Sequence, residues 1–201
     1  MMNRIAIIDY GLGNLRSVLR GLERAGGRPE ITASPDIIAA ADAIVLPGVG
    51  AFREGMEMLG PVKPAVVESA GQVPLLGICL GMQMLMETSE EHGLHQGLGL
   101  VPGTVRRFPS VPWAKVPHMG WNDLHIDPDS PLYSGIEDGT YVYFVHSYFV
   151  DTGEDWTIST TEYILDFASS VCRDQVYGVQ FHPEKSGRAG LRILSNFIEC
   201  I

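Results

Sequence analysis

A cysteine set between two glycines, and a histidine two places before a glutamate far along the chain, are the residues whose types and spacing could do chemistry. In PLLGICLGMQMLME, Cys79 ends the apolar run Pro74–Cys79, and Met82, Met84, Leu85 and Met86 open a helical pattern with Gly81 in its first turn. The thiol therefore stands at a strand-to-helix elbow, where a helix N-terminus worth about half a positive charge favours thiolate over thiol. Gly77 and Gly81 allow a tight turn, and the Leu80 N–H falls where an oxyanion would form. In VYGVQFHPEKS, a strand over Val176–Phe181 runs into His182, Pro183 interrupts the ladder, and Glu184 follows. An imidazole within reach of a thiol can take its proton and later protonate a leaving amine, while a carboxylate on its other nitrogen fixes the tautomer. Each residue taken alone has a plainer meaning: a small buried hydrophobe, a strand-ending ring, a solvated carboxylate. The six histidines are scattered and no CxxC occurs, so no metal site is expected and no cofactor is implied.

The elements that must position these groups alternate. Arg4–Asp9 is an apolar strand run, and Asn14–Ala25 puts Leu15, Val18, Leu19, Leu22 and Ala25 at helical spacing before the stop at Gly26-Gly27. Ala43–Leu46 is a short apolar strand, and Phe52–Ala70 is helical with a break at Pro61. Repeated strand, helix, strand units predict an α/β fold with a mostly parallel sheet covered on both faces. After His92 glycine and proline become dense, and Thr104–Phe108, Tyr141–Val150, Trp156–Tyr163 and Ser169–Arg173 read as further strands. A final helix over Gly187–Cys200 carries Leu191, Leu194, Phe197 and Ile198 on one face. No linker or repeat divides the 201 residues, so one domain spanning 1–201 is expected.

With 14 Lys and Arg against 24 Asp and Glu, the net charge is −10. No basic cluster offsets it, which argues against nucleic acid or an anionic membrane as partner. The first apolar run is closed by Asp9 and is too short for a signal core or a membrane span. Three dispersed cysteines fit a reducing compartment, and cytoplasmic residence is the expectation.

GICLGMQ and QFHPE are similar to the signatures of the class I (triad) glutamine amidotransferases, GxCxGxQ and FHPE. Further segments, DYGLGNLRS, LPGVGAF, KVPHMGWN, YFVHSY and HPEKS, resemble the branch of that family that serves imidazole glycerol phosphate synthases, and the likeness runs the length of the chain. The resemblance implies a flavodoxin-like amidotransferase fold with an added strand-rich segment. It implies that Cys79 attacks the side-chain amide of glutamine with His182 and Glu184 as base and orienter. It assigns the oxyanion hole to Leu80 and to Val49 or Gly50 in the PGVG turn, leaving open whether that peptide must flip first. Gly48, Gln83, His146, Ser147 and Tyr148 become the residues around bound glutamine. Without the resemblance, Tyr143–Val150 is a plain buried strand and PGVG only a tight turn.

The chain contains neither a P-loop nor another nucleotide fingerprint, and GLGN after the first strand lacks the third glycine and the lysine of a phosphate cradle. Nothing in it accepts nitrogen. The resemblance supplies an acceptor, a cyclase subunit with a (β/α)8 barrel, and Asn14, Arg16, Lys115, Met119, Trp121 and Lys185 are the candidate docking residues. Met119 and Trp121 could equally be core residues. An amidotransferase subunit for another acceptor, a γ-glutamyl hydrolase acting alone and a binding module that has lost catalysis are the competing classes.

Overall fold

The computed structural model describes residues 3–201. Thirteen strands are β1 Arg4–Ile8, β2 Arg28–Thr32, β3 Ala43–Gly48, β4 Leu75–Cys79, β5 Thr88–Ser89, β6 His95–Gln96, β7 Thr104–Arg107, β8 His118–Ile126, β9 Thr140–His146, β10 Tyr148–Asp151, β11 Thr157–Glu162, β12 Asp166–Arg173 and β13 Val176–Val179. The helices are α1 Leu15–Arg24, α2 Pro35–Ala39, α3 Phe52–Leu59, α4 Lys63–Ala70, α5 Leu80–Met84 and α6 Gly187–Glu199.

The sheet is mixed. Strands β2, β1, β3, β4 and β13 lie side by side and parallel. Beyond β13 pairing turns antiparallel through β12, β10 and β7, and a second arm leaves β12 through β11 to β8 and β9. The parallel strands are uninterrupted apolar runs because both faces are covered. Ile5 and Ile7 face one core with Val18 and Leu22 of α1 and Leu194 and Phe197 of α6; Ala6 and Ile8 face the other with Ile38, Phe52, Val66 and Met82.

Several boundaries differ from the sequence pattern. The helical run after Phe52 is two helices, broken across Gly60–Val62. Tyr141–Val150 is two strands: β9 pairs β8, β10 pairs β12 and β7, and Ser147 is the residue between them. Strand β13 stops at Val179, before Phe181, and β2, α2 and the nine-residue β8 went unread as elements. The exposed residues in RPEIT and HMGWNDLHI dilute an apolar pattern, and pairing supplies what local propensity lacks.

The carboxyl ends of the parallel strands gather the chemistry on one edge, the usual place for a ligand in an open α/β sheet. In-register pairing sets Gly48 of β3 beside Cys79, and Val179 beside Ile78, so the residues just past β13 come alongside the elbow. The elbow is tight. A side chain at Gly77 would stand 2.8 Å from the backbone of Gly81 and Met82, and one at Gly81 would strike the Leu46 carbonyl. Cys79 itself has φ 55° and ψ −109°, a conformation L-residues rarely adopt. Such strain costs on the order of 1–3 kcal/mol. Cys79→Gly should therefore exceed Cys79→Ala in unfolding free energy by about 1 kcal/mol, since both lose the sulfur and only glycine relaxes the backbone. Equal denaturation midpoints and slopes for the two variants would show that the elbow is unstrained.

Candidate active site

Cys79, Leu80 and Gln83 of the elbow line an open cleft of about 470 Å³ together with Val49, Gly50, Glu91, Pro117, Val145, His146, Ser147 and Tyr148. A smaller cavity of about 230 Å³ lies among Arg4, Arg28 and Ile37 at the opposite ends of β1 and β2, away from any nucleophile. The cysteine is 6 % exposed, enough for the sulfur to form part of the cleft wall.

His182 and Glu184 lie on the inner side of this edge, their side chains 3 % and 1 % exposed. The His182 backbone N–H donates to the Tyr143 carbonyl, and the Ser186 hydroxyl donates to the His182 carbonyl at 2.6 Å, so both sides of the residue's backbone are held. Glu184 Oε1 accepts from His182 Nδ1 at 2.8 Å. The proton is thus on Nδ1 and the other nitrogen, Nε2, is left for Cys79. That Nε2 is buried without a hydrogen-bond partner: the thiol is near enough to act on the ring's charge, but no bond is closed between them. Burial works most strongly against the imidazolium, yet the proximity of the Cys79 sulfur and then the hydrogen-bonded Glu184 carboxylate together outweigh it and raise His182 from 6.5 to about 9.

Elbow helix α5 has only five residues, all buried. A full macrodipole needs a longer stack of peptides, so the electrostatic aid at Cys79 comes from the first-turn N–H groups themselves rather than from half a unit charge. Opposite, Gly50 has φ 109° and Val49 is 40 % exposed on the cleft rim. The buried Tyr10 hydroxyl donates to the Pro47 carbonyl at 2.8 Å and so fixes the start of the PGVG turn. Burial pushes the Tyr10 phenol upward, with the nearby Cys79 adding to it.

The other predicted cleft residues differ in what they offer. Ser147 and Tyr148 line it at the break between β9 and β10. Gln83 lines it too, but its Nε2 already donates to the Tyr148 carbonyl at 3.1 Å and to Gln180 Oε1 at 3.0 Å. The His146 ring is spent internally: Nδ1 donates to the Tyr148 carbonyl at 2.8 Å and Nε2 accepts from His118 Nδ1 at 3.0 Å. His118 Nε2 in turn accepts from Asn122 Nδ2 at 3.3 Å. Burial first of all keeps both rings uncharged, with His118 lowered to about 4 and His146 to about 3. Among the described residues no cluster suits a metal ion, and no helix is long and apolar enough to cross a membrane.

The six docking candidates divide. Met119 and Trp121 are 63 % and 56 % exposed on one face of β8, not core residues. Trp121 meets the Tyr143 ring edge-on at 6.1 Å, and Lys185 Nζ lies 5.8 Å from the same ring, so these join one surface. Asn14 and Arg16 are exposed at the start of α1, and Lys115 is exposed in the loop before β8 with its carbonyl held by Tyr163, which lines a shallow depression with Met119 and Trp121. Sequence reasoning missed Gln180, Tyr10, Glu91, His118 and Asn122. Gln180 alone left a visible trace, an amide inside the apolar run VYGVQF.

A model of the class-I glutamine amidotransferase family matches residues 6–200. The chain is 56 % identical over 201 residues to the imidazole glycerol phosphate synthase subunit HisH of Methanosarcina acetivorans, covering 98 % of this chain and 99 % of that one. It is 48 % identical over 198 residues to the HisH subunit of Archaeoglobus fulgidus, covering 98 % of each. Among solved structures, PurLQS from Thermotoga maritima aligns with a TM-score of 0.77 at 20 % identity over 99 % of both chains. A glutamine amidotransferase of the same organism aligns at 0.65 and 20 % over 96 % of this chain and 80 % of that one. Those two carry the fold alone.

Because His182 lies above its ordinary 6.5 in the folded protein, its stabilising effect is complete below about 6.5 and drains away as pH rises through about 9. Proton-resolved NMR should place the ring's midpoint well above 6.5 and lower it in Cys79→Ala. Melting temperature should fall between pH 6.5 and 9, less steeply in that variant. A midpoint unchanged by loss of the thiol would mean that sulfur and ring do not interact.

Proposed function

The chain belongs to the class-I glutamine amidotransferase family, and from that premise we propose that it is the glutaminase subunit of an imidazole glycerol phosphate synthase in histidine biosynthesis. The observation that carries the proposal is a cysteine on a strained elbow in the cleft wall, with a buried, Glu184-held imidazole behind it near enough for the sulfur to act on the ring's charge. Identity of 56 % to a HisH subunit across almost the whole of both chains selects the branch.

In this mechanism Cys79 passes its thiol proton to His182 Nε2, and the resulting thiolate adds to the side-chain carbonyl carbon of glutamine. The oxyanion is held by the N–H of Leu80 and one from the PGVG turn, Val49 or Gly50; a single such donor is worth roughly 2.7–4 kcal/mol. The carbon–nitrogen bond breaks as His182 gives its Nε2 proton to the departing nitrogen, leaving ammonia and a γ-glutamyl thioester. Water then gives a proton back to His182 while its oxygen bonds to the acyl carbon. Breakage of the carbon–sulfur bond frees glutamate and restores the thiolate. Glu184 holds the ring's tautomer throughout and stabilises its charged form. Gln83, Ser147 and Tyr148 surround the substrate's main-chain end, with Gly48 buried behind the cleft beside Cys79; His146 acts on them through the Tyr148 carbonyl, and the Glu91 carboxylate in the cleft has the charge to meet an α-ammonium.

Ammonia made here needs an acceptor, and the proposed one is a (β/α)8-barrel cyclase docked on the exposed Met119, Trp121 and Lys185 face. There it would convert a phosphoribulosyl-formimino aminoimidazole carboxamide ribonucleotide into imidazole glycerol phosphate and aminoimidazole carboxamide ribonucleotide. Aromatic residues ringed by polar ones are typical of such contacts. Asn14, Arg16 and Lys115 belong to this docking edge by the same proposal.

Mixing the chain with a candidate cyclase and its ribonucleotide should raise glutamine hydrolysis sharply and yield imidazole glycerol phosphate. Cys79→Ala should abolish turnover, whereas Trp121→Ala and Lys185→Ala should weaken partner stimulation about tenfold or more and spare whatever activity the chain has alone. Full stimulation of both surface variants would place docking elsewhere, and full activity of the isolated chain would favour a hydrolase that works unaided.

A further inference from the structure

Beyond the triad, the sulfur has a hydrogen-bond partner that neither catalysis nor docking has called upon. Gln180 is completely buried, one residue past β13, and its Nε2 donates to Cys79 Sγ at 3.6 Å. The orientation of that amide follows from the groups around it. The Tyr148 carbonyl can only accept, so Gln83 must present Nε2 to it. The same Nε2 also faces Gln180, which must answer with its oxygen, at 3.0 Å. With Oε1 thus engaged, the Nε2 of Gln180 is the atom left to face the sulfur. A backbone carbonyl in the cleft wall therefore dictates, through two carboxamides, that the nucleophile meets a donor. The Tyr148 carbonyl is itself held from the other side by His146 Nδ1, so the chain has a fixed anchor.

We propose that Gln180 is a positioning residue for the nucleophile, donating a hydrogen bond that favours the thiolate of Cys79 and holds the sulfur in the cleft wall while His182 Nε2 is still unbonded. A donor aimed at a sulfur stabilises its charged form, since the anion accepts more strongly than the neutral thiol. Burial intensifies the effect, because no water competes for the amide. His182 does not suit this resting role, because its Nε2 has no hydrogen-bond partner, whereas the Gln180 amide is bonded at both ends. Gln83 becomes more than a cleft residue, for it is the lock that keeps the Gln180 amide from turning its oxygen toward the sulfur. The proposal rests on Cys79 as the nucleophile of the glutaminase reading, but its test reads the sulfur directly.

The experiment alkylates the full chain with iodoacetamide across pH 5–10 and follows the Cys79 peptide by mass spectrometry, which separates it from Cys172 and Cys200. In Gln180→Met the alkylation profile should move to higher pH and the rate at pH 7 should fall about tenfold, the size expected for loss of one charge-assisted hydrogen bond. Gln180→Glu keeps the shape but replaces the donor with an acceptor, and its rate should fall further. Gln83→Leu, which frees the Gln180 amide to turn, should give an intermediate profile. With the cyclase present, Gln180→Met should lower kcat for glutamine and leave KM within about twofold. A residue that merely filled space would alter melting temperature without moving the alkylation profile. Profiles of folded Gln180→Met and Gln180→Glu that superimpose on that of the unaltered chain would overturn the proposal. A shifted profile in a protein that never hydrolyses glutamine would sustain it and defeat the glutaminase reading instead.

Discussion

Everything at the site depends on the parallel pairing of β4 with β13. Leu75–Ile78 match Val176–Val179 residue for residue, so the chain just beyond β13 is delivered to the elbow although the two strands are far apart in sequence. A slip of one residue would turn Gln180 to the opposite face and carry His182 away from the sulfur. What prevents the slip is burial on both sides: Leu75 and Val176 belong to one core, Leu76, Ile78 and Val179 to the other. The same packing that stabilises the sheet fixes the distance between Cys79 and His182, so packing and the geometry of the candidate site are one constraint.

The antiparallel arm supplies the rest of the cleft. Because β9 pairs with β8 while β10 pairs with β12 and β7, the chain must change neighbours at Ser147, and the gap so created opens into the cleft beside Cys79. The Asn122, His118, His146 and Tyr148 hydrogen bonds cross this junction and hold it in shape. Each ring in that series has one donor and one acceptor nitrogen, and each is used once. Two neutral histidines thus behave as rigid spacers between β8, which presents Trp121 outward, and the strand break that lines the cleft.

Much of this was legible from the residue order. The apolar runs before Cys79 and His182 are long enough to be strands, and glycines at 77 and 81 announce a turn that no side chain could fit. The triad candidates follow from residue type at those strand ends. What could not be read was partnership. Nothing local tells that Gln180 would point at sulfur, that the Tyr10 hydroxyl would fasten the Pro47 carbonyl, or that His118 would meet His146, because each contact joins segments brought together by sheet order. Strands β2 and β8 escaped for the same reason, having exposed residues where a pattern would need apolar ones. The short α5 shows a further limit, since apolar residues after the elbow signal a helix without fixing its length.

The positive φ at Cys79 has an evolutionary side. A position that strains every L-residue is maintained only while the side chain does something that offsets the strain. In a lineage where the chemistry lapsed, glycine or asparagine would be favoured there by folding alone, with no new function required. A cysteine at this turn therefore carries a folding cost that glycine would remove.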